Sequence, residues 1–244
     1  MQQNKNSTSV MESETIQKNE ASSKSHTSRR HFFNYFIIAA LAVSVVLTSC
    51  GGGGGIGGSS YKIKMTTEQD GRFDFYLTGS GTATVDWGDA SEKVTLTLNE
   101  EINITFEHTY PNATIRTITI NGENITKLSM INSRSYITSL DVSRCAELTE
   151  LIIRGNLTSL DVSRCAELTE LIIRGNLTSL DVSKNTSLIN LLVYGSLTSS
   201  ALNALFGTLH SNSGEKTIYI GSNPGAKDCD RSIAERKGWM VKWD

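Results

Sequence analysis

In TVDWGDASEK the carboxylates Asp86 and Asp89 flank a Trp-Gly pair, and His108 follows downstream in ITFEHTY. Two aspartates this close could begin a site for a hard cation. Such a cation wants six or more oxygens, however, and the neighbouring residues offer few. The expected role of both is in a turn, where a short carboxylate accepts backbone N–H groups just ahead of it. His108 could serve as a base, but no nucleophile stands near it, and its expected role is a structural one beside Tyr110. The chain has four histidines and four cysteines, with no CxxC or Cys/His cluster for a metal and no GxSxG for acyl transfer. Beyond residue 50 only His108 and His210 remain, far apart in the sequence. No enzyme activity, metal or cofactor is therefore expected.

Cys50 has a different context. A polar start ending in Ser28-Arg29-Arg30-His31 leads into FFNYFIIAALAVSVVL, whose apolar run is too short for the roughly twenty residues that span a bilayer. An export signal fits it. The run closes on Leu47-Thr48-Ser49-Cys50, which resembles the bacterial lipobox, in which the cysteine is acylated and becomes the new N-terminus. That resemblance makes Cys50 a lipid anchor and residues 1–50 a lipoprotein signal. The basic pair also resembles a twin-arginine signal, so either export route stays open. GGGGGIGGSS, residues 51–60, would be a flexible tether between anchor and folded chain. Acidic residues outnumber basic ones after Cys50, and no basic stripe is visible, so nucleic acid is not an expected partner.

From 61 to 124 short alternating runs such as YKIKMT, RFDFYLTG, KVTLTL and TIRTITING are separated by Gly, Asp and Asn turns. They predict an antiparallel β-sandwich with Trp87 facing its core. The WGD turn and the later HTY resemble the PKD-type immunoglobulin-like domain. Ala90 stands where that family has glycine, which puts the geometry of the turn in question.

TSLDVSRCAELTELIIRGNL then occurs twice, at 138–157 and 158–177, letter for letter. Leu148, Leu151, Ile153, Asn156, Leu157, Leu160, Val162 and Leu168 define a pattern that resembles the leucine-rich repeat. Each twenty-residue coil would carry a short strand at 151–154 and bury its leucines against the next coil. ITKLSMINS at 125–133 aligns as a divergent first coil, and TSLDVSKNTSLINLLVYGS as a third variant. KTIYIGSN repeats the spacing, with Ile220 and Asn223 matching Ile153 and Asn156. Asn156, Asn176 and Asn223 are expected inside the turns, bonding to the backbone of adjacent coils. Cys145, Cys165 and Asn185 share one place in successive coils, where two buried thiols or a disulfide would both fit.

Residues 125–198 thus form the repeats and 199–244 a cap. The cap would comprise a helix over SSALNALFGTLHS capped by Ser199 or Ser200, a short helix near 230–237, and a last strand in which Trp239, Val241 and Trp243 alternate with polar residues. The fold class expected is mainly β: an immunoglobulin/PKD-like sandwich, a short leucine-rich-repeat solenoid and a helical C-terminal cap. Lipobox, PKD-like segment, LTSLDVS repeats and the NPGA…IAERKGW terminus together resemble bacterial leucine-rich-repeat lipoproteins. That resemblance implies a membrane-anchored protein of the outer membrane or cell surface, facing outward or into the periplasm, that works by binding or adhesion.

Strand alternation makes the binding surface explicit. With Leu151 and Ile153 inward, Glu150, Ile152 and Arg154 face out, followed by Glu170, Ile172 and Arg174 and then Asn190, Leu192 and Tyr194. An apolar column rimmed by charge is the composition of a protein-binding patch. A glycan ligand is the alternative, but it favours exposed aromatics, and this register offers only Tyr194.

Overall fold

A computed structural model of the chain describes residues 62–130 and 136–243. The expected signal segment, Cys50 and the glycine tether lie outside the described residues. The described chain is mainly β, with eleven strands and two helices. They are β1 (Ile63–Thr67), β2 (Gly71–Asp86), β3 (Val94–Thr97), β4 (Ile104–Tyr110), β5 (Arg116–Ser129), β6 (Ser139–Asp141), β7 (Glu150–Arg154), β8 (Glu170–Arg174), β9 (Asn190–Tyr194), α1 (Ser199–Thr208), β10 (Lys216–Tyr219), α2 (Ser232–Glu235) and β11 (Trp239–Lys242).

The strands join in one mixed sheet with two kinds of pairing. Up to β5 the pairs are antiparallel: β2 takes β4 along its first half, β3 along its second, and β5 on the other edge from Tyr76 to Asp86. From β5 onward the path β5-β7-β8-β9-β10-β11 is parallel throughout. β5 belongs to both parts. Residues Arg116 to Ile120 pair with β1, and Lys127 to Ser129 pair with β7, while β2 occupies the other edge. The boundary expected between residues 124 and 125 therefore falls inside a continuous strand. The reason is local: β5 runs on through the Gly122-Glu123-Asn124 that reads as a turn, and β2 stays paired with it by shifting register between Ser80 and Ala83 and again between Thr78 and Gly79.

Aromatic rings fill the antiparallel part. Phe75 stacks on Phe106 at 5.6 Å between centroids, Phe73 meets Tyr110 edge-on at 6.1 Å, and Trp87 lies 5.8 Å from Phe75. The expected turn forms after Trp87. Gly88 takes φ +75°, and a Cβ there would lie 2.2 Å from the Thr117 carbonyl oxygen, so only glycine fits. Ala90, placed where the resembled family has glycine, takes φ +64° and so holds the left-handed geometry at some steric cost.

Leucines fill the parallel part. Leu148, Leu151, Leu168, Leu171, Leu188 and Leu191 are fully buried. β7, β8 and β9 stand in register, Leu151 against Leu171 against Leu191. The next strand, β10, continues the register although α1 intervenes, with Ile218 against Leu191. The helix begins at Thr198, whose hydroxyl accepts from the Ala201 N–H at 3.2 Å, so the cap is Thr198 rather than Ser199 or Ser200. α2 covers four residues and β11 buries Trp239 and Val241, while Trp243 is exposed. Among the described residues no helix is long and apolar enough to cross a membrane.

The turns differ from expectation at the asparagines. Asn156 and Asn176 are exposed; the chain buries Leu157 and Leu177 beside them instead. The internal rung is the one shared by Cys145, Cys165 and Asn185. Asn185 donates to the Val162 and Cys165 carbonyls at 2.9 and 2.7 Å, and the Cys165 thiol faces the equivalent Val142 carbonyl at 3.6 Å. In the first coil Cys145 donates to Lys62 at 3.2 Å, so the chain leading into β1 supplies the acceptor that a preceding coil would. Asn223 is buried as expected, donating to Val193 and Ile220 and accepting from Leu197.

Candidate functional site: the outward face of the parallel strands

Period-two alternation leaves every second side chain of β7 to β11 off the leucine core. The in-register pairing then lines these side chains up in rows. One row runs Lys127, Glu150, Glu170, Asn190, Thr217, Met240; the next runs Ser129, Ile152, Ile172, Leu192, Tyr219, Lys242. A third holds Arg154, Arg174 and Tyr194. All nine residues read as the binding face thus share one side of adjacent strands.

Their environments are less uniform than the sequence suggests. Ile152 is only 8% exposed, not an open apolar side chain, because the column ends on β5 at Ser129, which is itself fully buried. Ile172 and Leu192 are half-buried. The column then continues to Tyr219, so Tyr194 is not the sole aromatic on this face. The alignment of Ile220 with Ile153 already carries the signal for Tyr219, one residue before the matched isoleucine. Lys242 reaches across to Tyr219, with its ammonium 3.1 Å from the hydroxyl and 5.0 Å from the ring centroid.

The acidic row is a set of bonded groups rather than a free rim. Lys127, from β5, meets Glu150 at 2.6 Å with both side chains partly buried. Asn190 donates to Glu170 at 3.0 Å. Burial, and then the facing Glu150 carboxylate, push the Glu170 carboxyl above its ordinary range, against the pull of Lys127 and the Asn190 amide. Sequence spacing does not reveal Lys127, because it lies on the strand shared with the antiparallel part.

The basic row is different. Arg154 and Arg174 are exposed, and each guanidinium lies over a tyrosine ring, 5.3 Å from Tyr136 and 5.0 Å from Tyr194. Among the described residues neither has a carboxylate partner.

The other candidates are structural in their contacts. Asp86 accepts from the Gly88 N–H and Asp89 from the Ser91 N–H, at 3.0 and 3.1 Å. His108 bonds Asp89 at 2.7 Å and stacks on Trp87 at 5.1 Å. The Ser91 hydroxyl first, and His108 after it, hold the Asp89 carboxyl down to about 2. His210 bonds the Leu188 carbonyl at 2.7 Å and accepts Trp239 against its ring, which ties the end of the chain to the last coil. Cys145 and Cys165 are free thiols, pushed up by burial to about 12 and about 11 and thus far from thiolate reactivity. Among the described residues no cluster of His, Cys, Asp or Glu is arranged to hold a metal.

Neither a family model nor a curated protein matches this sequence. A solved structure, the functional domain of InlJ from Listeria monocytogenes, described as including a cysteine ladder, is similar at 24% identity with a TM-score of 0.34. The likeness covers 44% of this chain and 22% of that one.

Proposed function

We propose that this chain is a non-catalytic lipoprotein of the bacterial cell envelope, anchored through Cys50, that binds another protein through the outward face of its parallel strands. In finer terms it is a PKD-like sandwich fused through β5 to a short leucine-rich-repeat solenoid. The observation that carries the reading is the unbroken register from β7 to β10, which brings Ile172, Leu192 and Tyr219 side by side on one surface. An aliphatic and aromatic centre with charge around it is what an interface anchor needs.

A photo-crosslinking residue in place of Leu192 tests this on the cells that make the protein. An adduct with a partner should form from that position and not from Ile115, an exposed isoleucine in the antiparallel part. Equal adducts from both positions would contradict the reading. Anchoring is tested separately: Cys50→Ala should move the protein from the membrane fraction to the soluble one, and continued membrane association would remove the lipid anchor.

A glycan ligand is the second reading; Tyr219 adds an aromatic beside Leu192, but with the Lys242 ammonium over its ring it offers a sugar its edge and hydroxyl rather than a bare face. Protection of Tyr219 from surface labelling by cell-envelope polysaccharide, with no protein adduct at Leu192, would support it.

A further inference from the structure

Two pairs of like charges face each other across β7 and β8 on the same surface: Glu150 opposite Glu170, and Arg154 opposite Arg174. Like charges directly opposite on neighbouring strands disfavour the pairing unless something offsets them. The glutamates are offset within the chain, by Lys127 on Glu150 and the Asn190 amide on Glu170. The arginines are not. Their only partners among the described residues are the ring faces of Tyr136 and Tyr194. A guanidinium over a ring face is attracted by the ring without using up its N–H donors, and those are the groups that grip a carboxylate.

From this we infer that the face takes an acidic segment of a partner protein, in extended form, whose carboxylates settle between Arg154 and Arg174 and whose apolar side chains lie along Ile172 and Leu192. The inference rests on the binding role proposed above for this face. Neighbouring strands bring the two arginine stems about 4.8 Å apart, and alternate side chains of an extended segment are about 6.6 Å apart, so two flexible arginines reach carboxylates two residues apart. The aliphatic column beside them is what separates a peptide from an anionic polysaccharide. A sugar would prefer bare aromatic faces, whereas those of Tyr136, Tyr194 and Tyr219 each carry a cation.

The test uses the full chain and two fluorescent ten-residue peptides, one alternating glutamate and leucine and the other lysine and leucine, read by anisotropy at low and high salt. The glutamate peptide should bind at least ten-fold more tightly than the lysine peptide. Arg154→Gln with Arg174→Gln should remove at least ten-fold of that affinity and most of its salt dependence, with the thermal unfolding midpoint held or raised. Equal binding of both peptides, no binding of the glutamate peptide, or indifference to the arginine substitutions overturns the inference. The pair Ile172→Ser and Leu192→Ser separates the two proposals. If it abolishes binding while the arginine pair does not, the face stands and the acidic partner falls; if neither matters, both fall. Binding of dextran sulfate that depends on the arginines, without binding of the glutamate peptide, replaces the acidic protein with an anionic polysaccharide.

Discussion

The antiparallel and parallel parts of this chain share strand β5, and the first coil also meets the β1 region through β6 and Cys145, yet the two parts are built on different principles. In the first, each contact is particular: Trp87, His108, Asp89 and Tyr110 hold one another through ring stacking and hydrogen bonds, Tyr110 donating to the Trp87 carbonyl at 2.8 Å. In the second, contacts recur because the residues recur. Leu151, Leu171 and Leu191 repeat one packing arrangement, and Thr149 and Thr169 repeat one hydrogen bond, each hydroxyl donating to the carbonyl of the coil before it at 3.0 Å. A particular arrangement fixes a turn. A recurring one multiplies a surface, which is why the candidate site lies on the parallel strands.

Substitutions in the two cores should have the largest effects and be felt differently. Phe75→Ala removes a ring that touches Phe73, Trp87 and Phe106, and should cost about 3–5 kcal/mol. Leu171→Ser, by combining a cavity with a buried hydroxyl, should cost about 2–5 kcal/mol. Chemical denaturation checks both. If the parallel part unfolds locally, amide exchange around β7 to β9 should rise for Leu171→Ser and not for Phe75→Ala.

The rung comes next. Asn185→Ala leaves the Val162 and Cys165 carbonyls short of a donor in the interior and should cost about 1–3 kcal/mol. Asn156→Ala, at an exposed position with the same repeat logic in the sequence, should stay within about 0.5 kcal/mol. Equal losses would place both asparagines inside.

Two carboxylates then distinguish the parts by pH. Asp89 is depressed to about 2 in the folded chain, so it stabilises folding at pH above its ordinary range and loses that effect as pH falls from about 4 toward 2. Asp89→Ala should be less stable than the parent at pH 7, by about 1–2 kcal/mol, and the difference should shrink over that acid window. Glu170 has the opposite sign. Its folded carboxyl is raised, so folding is favoured while it is protonated and loses ground as pH climbs past its unfolded value. Glu170→Gln, which keeps an acceptor for Asn190, should therefore stabilise the protein at pH 7 by about 0.2–1 kcal/mol and match the parent in acid.

The two parts were unequally legible in the sequence. A doubled twenty-residue string announces repeated strands, and their alternation correctly puts Ile172 and Leu192 on the face away from Leu171 and Leu191. Alternation says nothing of what lies across the first strand, so the burial of Ile152 beside Ser129 and the ion pair from Lys127 were hidden. Spacing located Asn156 and Asn176 but not the direction in which they point, which depends on the chain burying the following leucine. The alignment of Ile220 with Ile153 held the place of Tyr219 in the column, one residue earlier, although the face read from the three repeats stopped at Tyr194. In the antiparallel part the WGD and HTY segments marked the turn and its aspartates, whereas the reach of His108 to Asp89 depends on β4 pairing with β2, a contact no local pattern encodes.

Excision of residues 158–177 tests most directly the claim that one coil is the unit of both fold and surface. Removal joins Leu157 to Thr178 in the same register and should leave a single cooperative unfolding transition, with the strand signal in circular dichroism reduced and not lost. Excision of an equal length from the antiparallel part, residues 71–90, should abolish folding. Loss of the cooperative transition on excising 158–177, with no recovery at low temperature, would contradict the account.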